Sequence, residues 1–385
     1  MESQKKNVVI IGGGAAGILI ARTLSRTLDA SKFNLKLINE RSFHIIWPAM
    51  YRAVTTAEGS FGERGLIPYD KFFAPGKLGE IIAGSVISVK DDIVHLADGR
   101  TIDYDWLVVA TGTTWRGPLE FPLERAKVGE WLDEWHTKLS NAKEVVMIGG
   151  GSAGIEFSGE IRHFLPDKKV TVIHSQDQLL NATYPPKYRQ TVLDAAATAG
   201  INMIFKDRAH VPVGPCTSVK TENGLEIPTD LVIDARGGKL NTAFLTSLDP
   251  TVLTPSGSVK VLPTLQVPLS NGKSNVFALG DIIEWPEQKT IFKVRPQAAI
   301  VAANLLSAIN GTPLEKTYDG HLEVIAIPCG PYAGRTFIPW LWGIILGDFF
   351  TSNIHSKHLS LKHHPQLLVA PEFRGFFSRL LAYFF

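Results

Sequence analysis

Gly12, Gly14 and Gly17 carry the first chemistry legible in this chain. They follow directly on Val8-Val9-Ile10-Ile11 and lead into Ile18-Leu19-Ile20-Ala21-Arg22-Thr23-Leu24. A strand, a glycine turn and a helix in that spacing form a dinucleotide-binding fingerprint. Gly12 serves the turn, Gly14 lets the backbone approach a pyrophosphate, and Gly17 lets the helix pack closely. The phosphates would rest on the unpaired N–H groups and positive dipole end of the helix that opens at Ala15.

The pattern stands a second time, as Val145-Val146-Met147-Ile148 followed by Gly149, Gly151, Ser152 and Gly154. Each copy is followed by a hairpin signature and then by an apolar strand ending in Ala-x-Gly. In the first copy Asp98-Gly99 is the turn, and Leu107-Val108-Val109 leads to Ala110, Thr111 and Gly112. In the second, Asn223-Gly224 is the turn, and Leu231-Val232-Ile233 leads to Ala235-Arg236-Gly237. Repetition of both motifs in one order predicts two nucleotide sites.

Around these motifs the positioning elements can be placed. Asn34 to Ile38 reads as the strand that closes the first unit, and an acid at its end contacts an adenosine ribose in such units. Asn39 and Glu40 both fit that position, with Arg41 next. Ser42 to Tyr51 is apolar and aromatic around Pro48, and reads either as a buried crossing loop or as a wall along a flavin ring. Val276 to Leu279 is a further buried strand ending in Gly280-Asp281. A helix is expected over 296–306, with Pro296 at its start, after a bridge over 289–295.

At 385 residues the chain exceeds one ordinary core and predicts two or three domains, with boundaries near 115, 252 and 320. Apolar residues at 45% and charged residues at 20% are those of a folded globular protein, and a net charge of +2 makes no case for nucleic acid. The two cysteines, Cys216 and Cys329, form no CxxC. A reducing, cytoplasmic setting is expected, without a disulfide framework or zinc site. The first residues show no signal peptide, and Glu2 excludes a Met-Gly start for myristoylation. No apolar run reaches the roughly 20 residues of a spanning helix. The longest, Phe337 to Phe350, is broken by Pro339 and Gly343.

With both fingerprints, both Ala-x-Gly strands and Ala278-Leu279-Gly280-Asp281 in place, the chain resembles the two-dinucleotide-binding flavoproteins of the pyridine nucleotide oxidoreductase superfamily. It is most similar to the apoptosis-inducing-factor-like and ferroptosis suppressor protein group, and next to the type II NADH dehydrogenases. His44 with Pro48 and Tyr51, and Val172-Ile173-His174-Ser175-Gln176, are further matches within residues 7–320.

The resemblance implies an α/β fold of two Rossmann-like domains on the glutathione-reductase-like plan, plus a smaller C-terminal α+β domain. FAD would occupy 1–115 with 252–320, NADH or NADPH would occupy 116–251, and 321–385 would form an interface or acceptor domain. Gly12, Gly14, Ala15, Gly17, Asn39, Glu40, Arg41, Pro48, Ala110, Thr111, Gly112, Gly280, Asp281 and Gln297 make the flavin set, with Asp281 on the ribityl chain. Gly149, Gly151, Ser152, Gly154 and His174 make the nicotinamide-nucleotide set. Glu156 would face the nicotinamide, and Lys293 with the N-terminus of helix 296–306 would face the flavin pyrimidine ring. His174 is neither the acid that favours NADH nor the arginine that favours NADPH, so both are expected to be accepted.

The expected reaction is hydride transfer from NAD(P)H to flavin and on to a quinone-like acceptor. The alternatives are a flavoenzyme of specialised metabolism acting on one small molecule and a redox-sensing binding protein. The dithiol of disulfide reductases is absent, and Arg236 stands where relatives carry threonine. The aromatic runs Phe337 to Phe350 and Phe376 to Phe385 read either as core or homodimer interface, or as a lipid-like acceptor mouth or shallow membrane contact with Arg374 and Arg379. His355, His358, His363 and His364 with Lys357 and Lys362 read as a solvated basic face rather than a metal site.

Overall fold

The computed structural model describes residues 4–69, 72–73 and 78–362. The apolar run ahead of Gly12 becomes β1 (Lys6–Ile11), buried from its second residue onward. A strand covered on both faces reads as an unbroken hydrophobic run, and that requirement places it at the centre of a parallel sheet. β2 (Phe33–Asn39) and β4 (Trp106–Val109) flank it, while β3 (Glu80–Ala83) and β9 (Val276–Ala278) form the edges. All four ladders are parallel, in the order β9-β4-β1-β2-β3.

The second unit repeats the plan with β5 (Glu144–Ile148), β6 (Lys169–His174), β7 (Ile201–Phe205) and β8 (Leu231–Asp234), in the parallel order β7-β6-β5-β8. Both expected hairpins form, pairing Ile93–Leu96 with Thr101–Asp103 and Ser218–Lys220 with Glu226–Pro228. α1 (Ala15–Thr27) follows the first glycine turn, and α4 (Ser152–Phe164) follows the second. Between them lie α2 (Trp47–Thr55) and α3 (Val128–Asn141), and α5 (Pro186–Thr198) precedes β7. The stretch Ser42 to Tyr51 is therefore a short strand, Phe43–Ile45, and then a helix rather than a loop.

The chain leaves and re-enters the first unit through two short strands that pair antiparallel, Thr113–Thr114 with Lys239–Leu240. Leu245 and Val252 already lie in the core of the first unit, so the return crossing sits at 239–241 rather than at 252. The late helix also begins earlier than its sequence suggests. α6 spans Ile291–Ile309, with Thr290 as N-cap and Pro296 inside it. The bridge expected over 289–295 is thus mostly helix, and Pro296 leaves the Phe292 carbonyl without its helical N–H donor. A three-stranded antiparallel sheet, β10 (Ile325–Pro328), β11 (Gly334–Ile338) and β12 (Ile344–Leu346), completes the described chain with a short helical segment over 348–356. Among the described residues no helix is long and apolar enough to cross a membrane.

Candidate functional site

The first glycine turn is built by close approach. Gly12 has φ +105, and a Cβ there would stand 2.3 Å from the Ala110 carbonyl oxygen; a Cβ on Gly17 would stand 1.7 Å from the Gly12 carbonyl. Ala110 is small for the same reason, because its strand passes directly beneath the turn. Gly14 has open space where a side chain would be, so its backbone is available to a ligand. α1 has neither a side-chain cap nor an acid in its first turn, which leaves its opening N–H groups and dipole without an internal anion.

Gly13, which sequence reasoning passed over, anchors the turn. Its N–H donates to Asn39 Oδ1 at 2.8 Å. Its carbonyl accepts from the Tyr69 hydroxyl and from His44 Nδ1, the latter at 3.2 Å. Burial pushes the His44 imidazole down to about 4, against the smaller opposing effect of that carbonyl, so the ring is neutral. Asn39 is thereby committed to the turn, with its Nδ2 on the Arg41 carbonyl at 2.9 Å. Asn39 and Glu40 both line the cleft, and Glu40 is the acid of the two. It pairs with Arg41, which is itself held by the carbonyls of Phe121 and Pro122 at 2.8 and 3.2 Å.

The second turn repeats the construction. Gly149 has φ +119 and abuts the Ala235 carbonyl, and a Cβ on Gly154 would lie 1.9 Å from the Gly149 carbonyl. His174 takes the place of Asn39: its Nδ1 accepts from Gly150 N–H at 3.1 Å, and Nε2 faces the Leu180 carbonyl at 3.3 Å. The ring expected to read the ribose is thus turned beneath the backbone instead. α4, like α1, starts without a side-chain cap or an acid in its first turn. At the end of β8, Arg236 grips Asp234 with Nε and Nη2, both at 2.8 Å, and Arg116 approaches the same carboxylate at 3.4 Å.

A cleft of about 430 Å³ borders both units. Its floor runs from Gly14 and Ala15 past Glu40 and Arg41, Ala110 to Gly112, and Gly280 with Asp281. One wall is α2, through Trp47, Pro48 and Tyr51. The N-terminus of α6, from Lys289 to Phe292, is another. Ser152 and Glu156 enter from the second unit, and Val324 to Ala326, His355 and Ser360 close the far end. Gly12, Gly17, Gly149, Gly151, Gly154 and His174 are not on this surface; the outer glycines of each turn act by letting it close.

Gln297 lies behind the cleft, where its Oε1 accepts from Gly280 N–H at 2.8 Å and its Nε2 donates to Glu287 at 3.0 Å. Lys293 also lies outside. It is buried in a network with Glu323 at 3.1 Å, Glu287 at 3.4 Å and the His321 carbonyl, on a face of α6 turned away from Ile291 and Val294, which line the cleft. The lysine that lines the cleft is Lys289, and Thr290 beside it has a buried hydroxyl oxygen without a protein partner. Sequence reasoning missed both because it started the helix at Pro296.

Glu156 and Glu160 stand one turn apart on α4. Burial, and secondarily the Glu160 charge, push the Glu156 carboxyl up to about 8. It therefore holds a proton at neutral pH beside the cleft. Burial, and then Glu156, likewise keep the Tyr51 phenol protonated. Glu160 meets Arg52 of α2 in a bidentate pair, Nε to Oε2 at 2.6 Å and Nη2 to Oε1 at 2.8 Å, both side chains at most 4% exposed. The same guanidinium donates to the carbonyls of Ser356 and Lys357 at 2.7 and 2.9 Å. One side chain thus fastens first unit, second unit and C-terminal segment.

His355 belongs to a π-helical turn, Ser352–Ser356, and lines the cleft rather than a solvated face. Leu359 and Ser360 follow with φ of 42° and 67°, a left-handed conformation that non-glycine residues hold only where surrounding structure imposes it. His363, His364 and the aromatic run 376–385 with Arg374 and Arg379 lie outside the described residues. Cys329 is buried, its thiol pushed up to about 12 by desolvation, and it is not bridged to Cys216.

The donor set suits a flavin dinucleotide. It offers an uncapped helix start, an open glycine backbone, an acid at the end of β2 and the unpartnered Thr290 hydroxyl at the far wall. A model of the pyridine nucleotide-disulphide oxidoreductase family matches residues 6–304. The FAD-dependent oxidoreductase FVFD30 of Flammulina velutipes is 40% identical over 304 residues, covering 78% of this chain and 93% of that protein. Ferroptosis suppressor protein 1 of Homo sapiens is 30% identical over 336 residues, 84% of this chain and 87% of that one. The solved sulfide:quinone oxidoreductase of Aquifex aeolicus superposes with a TM-score of 0.77 at 22% identity, covering 96% of this chain and 93% of that chain. The likeness of fold therefore continues past residue 320.

Proposed function

Because the chain belongs to the pyridine nucleotide-disulphide oxidoreductase family, we propose that it is an FAD-dependent oxidoreductase that takes a hydride from NADH or NADPH and delivers two electrons to a quinone-type acceptor. The observation that carries this reading is the continuity of the cleft: the first glycine turn, Glu156 of the second unit and the C-terminal wall at Val324 to Ala326 all border it. The likeness of fold to a sulfide:quinone oxidoreductase supports the acceptor class.

Bound FAD would supply the two-electron carrier between nicotinamide and acceptor. The first turn of α1 and Gly14 would hold its pyrophosphate, Glu40 its ribose and Asp281 its ribityl chain. Burial keeps the Asp281 carboxyl above the usual carboxylate range, the nearby Lys289 charge opposing this in part. The uncapped end of α6 directs partial positive charge into the cleft where negative charge would develop. Trp47, Tyr51 and Phe292 exclude water along the walls, and Glu156 holds a proton at its carboxyl on the second unit's side. Cys329 is buried and its thiol is protonated, so neither hydride nor electron delivery is assigned to a thiol.

Steady-state kinetics with NADH and NADPH over a panel of quinones and disulfides tests this. Quinone-dependent turnover with kcat/KM values for the two nucleotides within about tenfold of each other is expected, since His174 is committed to the turn. A strong preference for one nucleotide would refute the tolerance, and disulfide reduction without quinone reduction would refute the acceptor class. Slow turnover with a long-lived reduced complex would favour the redox-sensing reading.

A further inference from the structure

His174 and Asn39 hold the same place in the two units. Ile38 pairs with Ile11 in the first ladder and Ile173 with Ile148 in the second, so each is the residue that follows, level with the start of its glycine turn. Each then accepts from the N–H of the middle glycine, Gly13 or Gly150. An amide takes up no proton near neutral pH, and an imidazole does.

The second turn requires the neutral ring. His174 Nδ1 accepts from Gly150 N–H at 3.1 Å, so the ring proton sits on Nε2, which faces the Leu180 carbonyl at 3.3 Å. Leu180 N–H donates to the Gly150 carbonyl at 2.9 Å and closes the circuit. A Cβ on Gly150 would stand 2.9 Å from His174 Cγ, which shows how closely ring and peptide pack. A proton on Nδ1 would set N–H against N–H and leave two buried donors facing each other. The first turn is not exposed to this. Asn39 gains no proton, and His44 and Tyr69 meet the Gly13 carbonyl as donors, which His44 remains when charged.

We infer that His174 is the positioning residue of the second glycine turn, and that its protonation pulls the turn out of register with a bound pyrophosphate, so that nicotinamide-nucleotide binding weakens in acid while flavin binding does not. This rests on the nucleotide site proposed above. Gly151, next to Gly150, has open space where a side chain would be, so its backbone is available to that pyrophosphate. The surroundings favour a ring that stays neutral until the medium is acid. Burial lowers its pKa from 6.5, the carbonyls of Leu180 and Gln178 oppose this, and the like charge of Arg189 adds to it. Arg189, on α5, is itself held by the carbonyls of Leu179 and Gln178 at 2.8 and 3.1 Å. From β7 the ring meets the edge of Phe205. Beyond that strand Lys206 is exposed, and the Asp207 carboxylate is committed to the N–H groups of Arg208 and Asn223 at 2.8 and 3.2 Å.

The test is calorimetric binding of ADP-ribose to the oxidised, FAD-loaded protein and to His174→Asn, at pH 8 and pH 5. ADP-ribose carries the pyrophosphate but no nicotinamide, so the titration of Glu156 does not enter. The wild type should bind at least about threefold more weakly at pH 5, and the variant should bind within about twofold at the two values, with flavin retained by both. In the wild type alone, the pH at which the His174 ring titrates, followed by nitrogen NMR, should move down when ADP-ribose is added, because a ligand that selects the neutral ring opposes its protonation. Equal pH dependence in the two proteins overturns the inference. So does tighter wild-type binding at pH 5, or an upward move of the titration, either of which would make the imidazolium a direct partner of the phosphates. ADP-ribose bound by neither protein at either pH would refute the nucleotide site itself and this role with it, whereas a wild type that binds equally at both values leaves that site standing and removes only the role of His174.

Discussion

Glu156 shows how one residue carries a checkable consequence. Its carboxyl is held up to about 8 from an ordinary 4.5, first by burial and then by Glu160. Between those values the folded protein binds a proton that the unfolded chain has released, so this group contributes stability below about pH 4.5 and loses it as pH rises through 8. Glu156→Gln removes the titration. Melting temperatures measured from pH 5 to 9 should fall less steeply with pH in the variant than in the wild type, and parallel curves would mean that Glu156 is ionised in the folded state. At this scale the outer glycines of each fingerprint were legible because steric necessity shows in residue type. The partners of Gly13 were not. Asn39, His44 and Tyr69 meet its peptide groups only after β2 and the aromatic stretch have folded back, and nothing in their spacing announces that. Lys293 was misplaced for a related reason: its position on the helix depends on where the helix starts, and the sequence signal at Pro296 pointed five residues too late.

Elements meet at Arg52. The pair with Glu160 joins α2 to α4, and the remaining guanidinium donors fix the carbonyls of Ser356 and Lys357. Removing one partner of a buried pair leaves an uncompensated charge, at a cost of about 3–5 kcal/mol, whereas removing both costs less. Urea unfolding should therefore show Arg52→Met less stable than the double variant Arg52→Met/Glu160→Met. The reverse order would show that the charges repel folding rather than fasten it. Strands and helices of the two Rossmann-like units were readable from apolar runs and glycine punctuation, and the hairpins from Asp98-Gly99 and Asn223-Gly224. The C-terminal elements were not, because β10 to β12 are short and the π-helical turn at His355 has no periodic signature.

For the whole molecule, the repeated fingerprint was enough to foresee two Rossmann-like units. The cleft that unites them was not, since Val324 to Ala326, His355 and Ser360 reach it only through the final packing of the C-terminal sheet and turn. That packing gives the cleft an end remote from the first glycine turn, and the proposed function assigns this end to the acceptor. The central claim is that a flavin in the first unit exchanges electrons with a nicotinamide nucleotide admitted by the second. Its most direct test is the visible absorption of the flavin-loaded protein on anaerobic addition of NADH or NADPH, followed by a quinone. The account predicts bleaching by a nucleotide and recovery of the band on adding the quinone; a spectrum left unbleached by both nucleotides would contradict it.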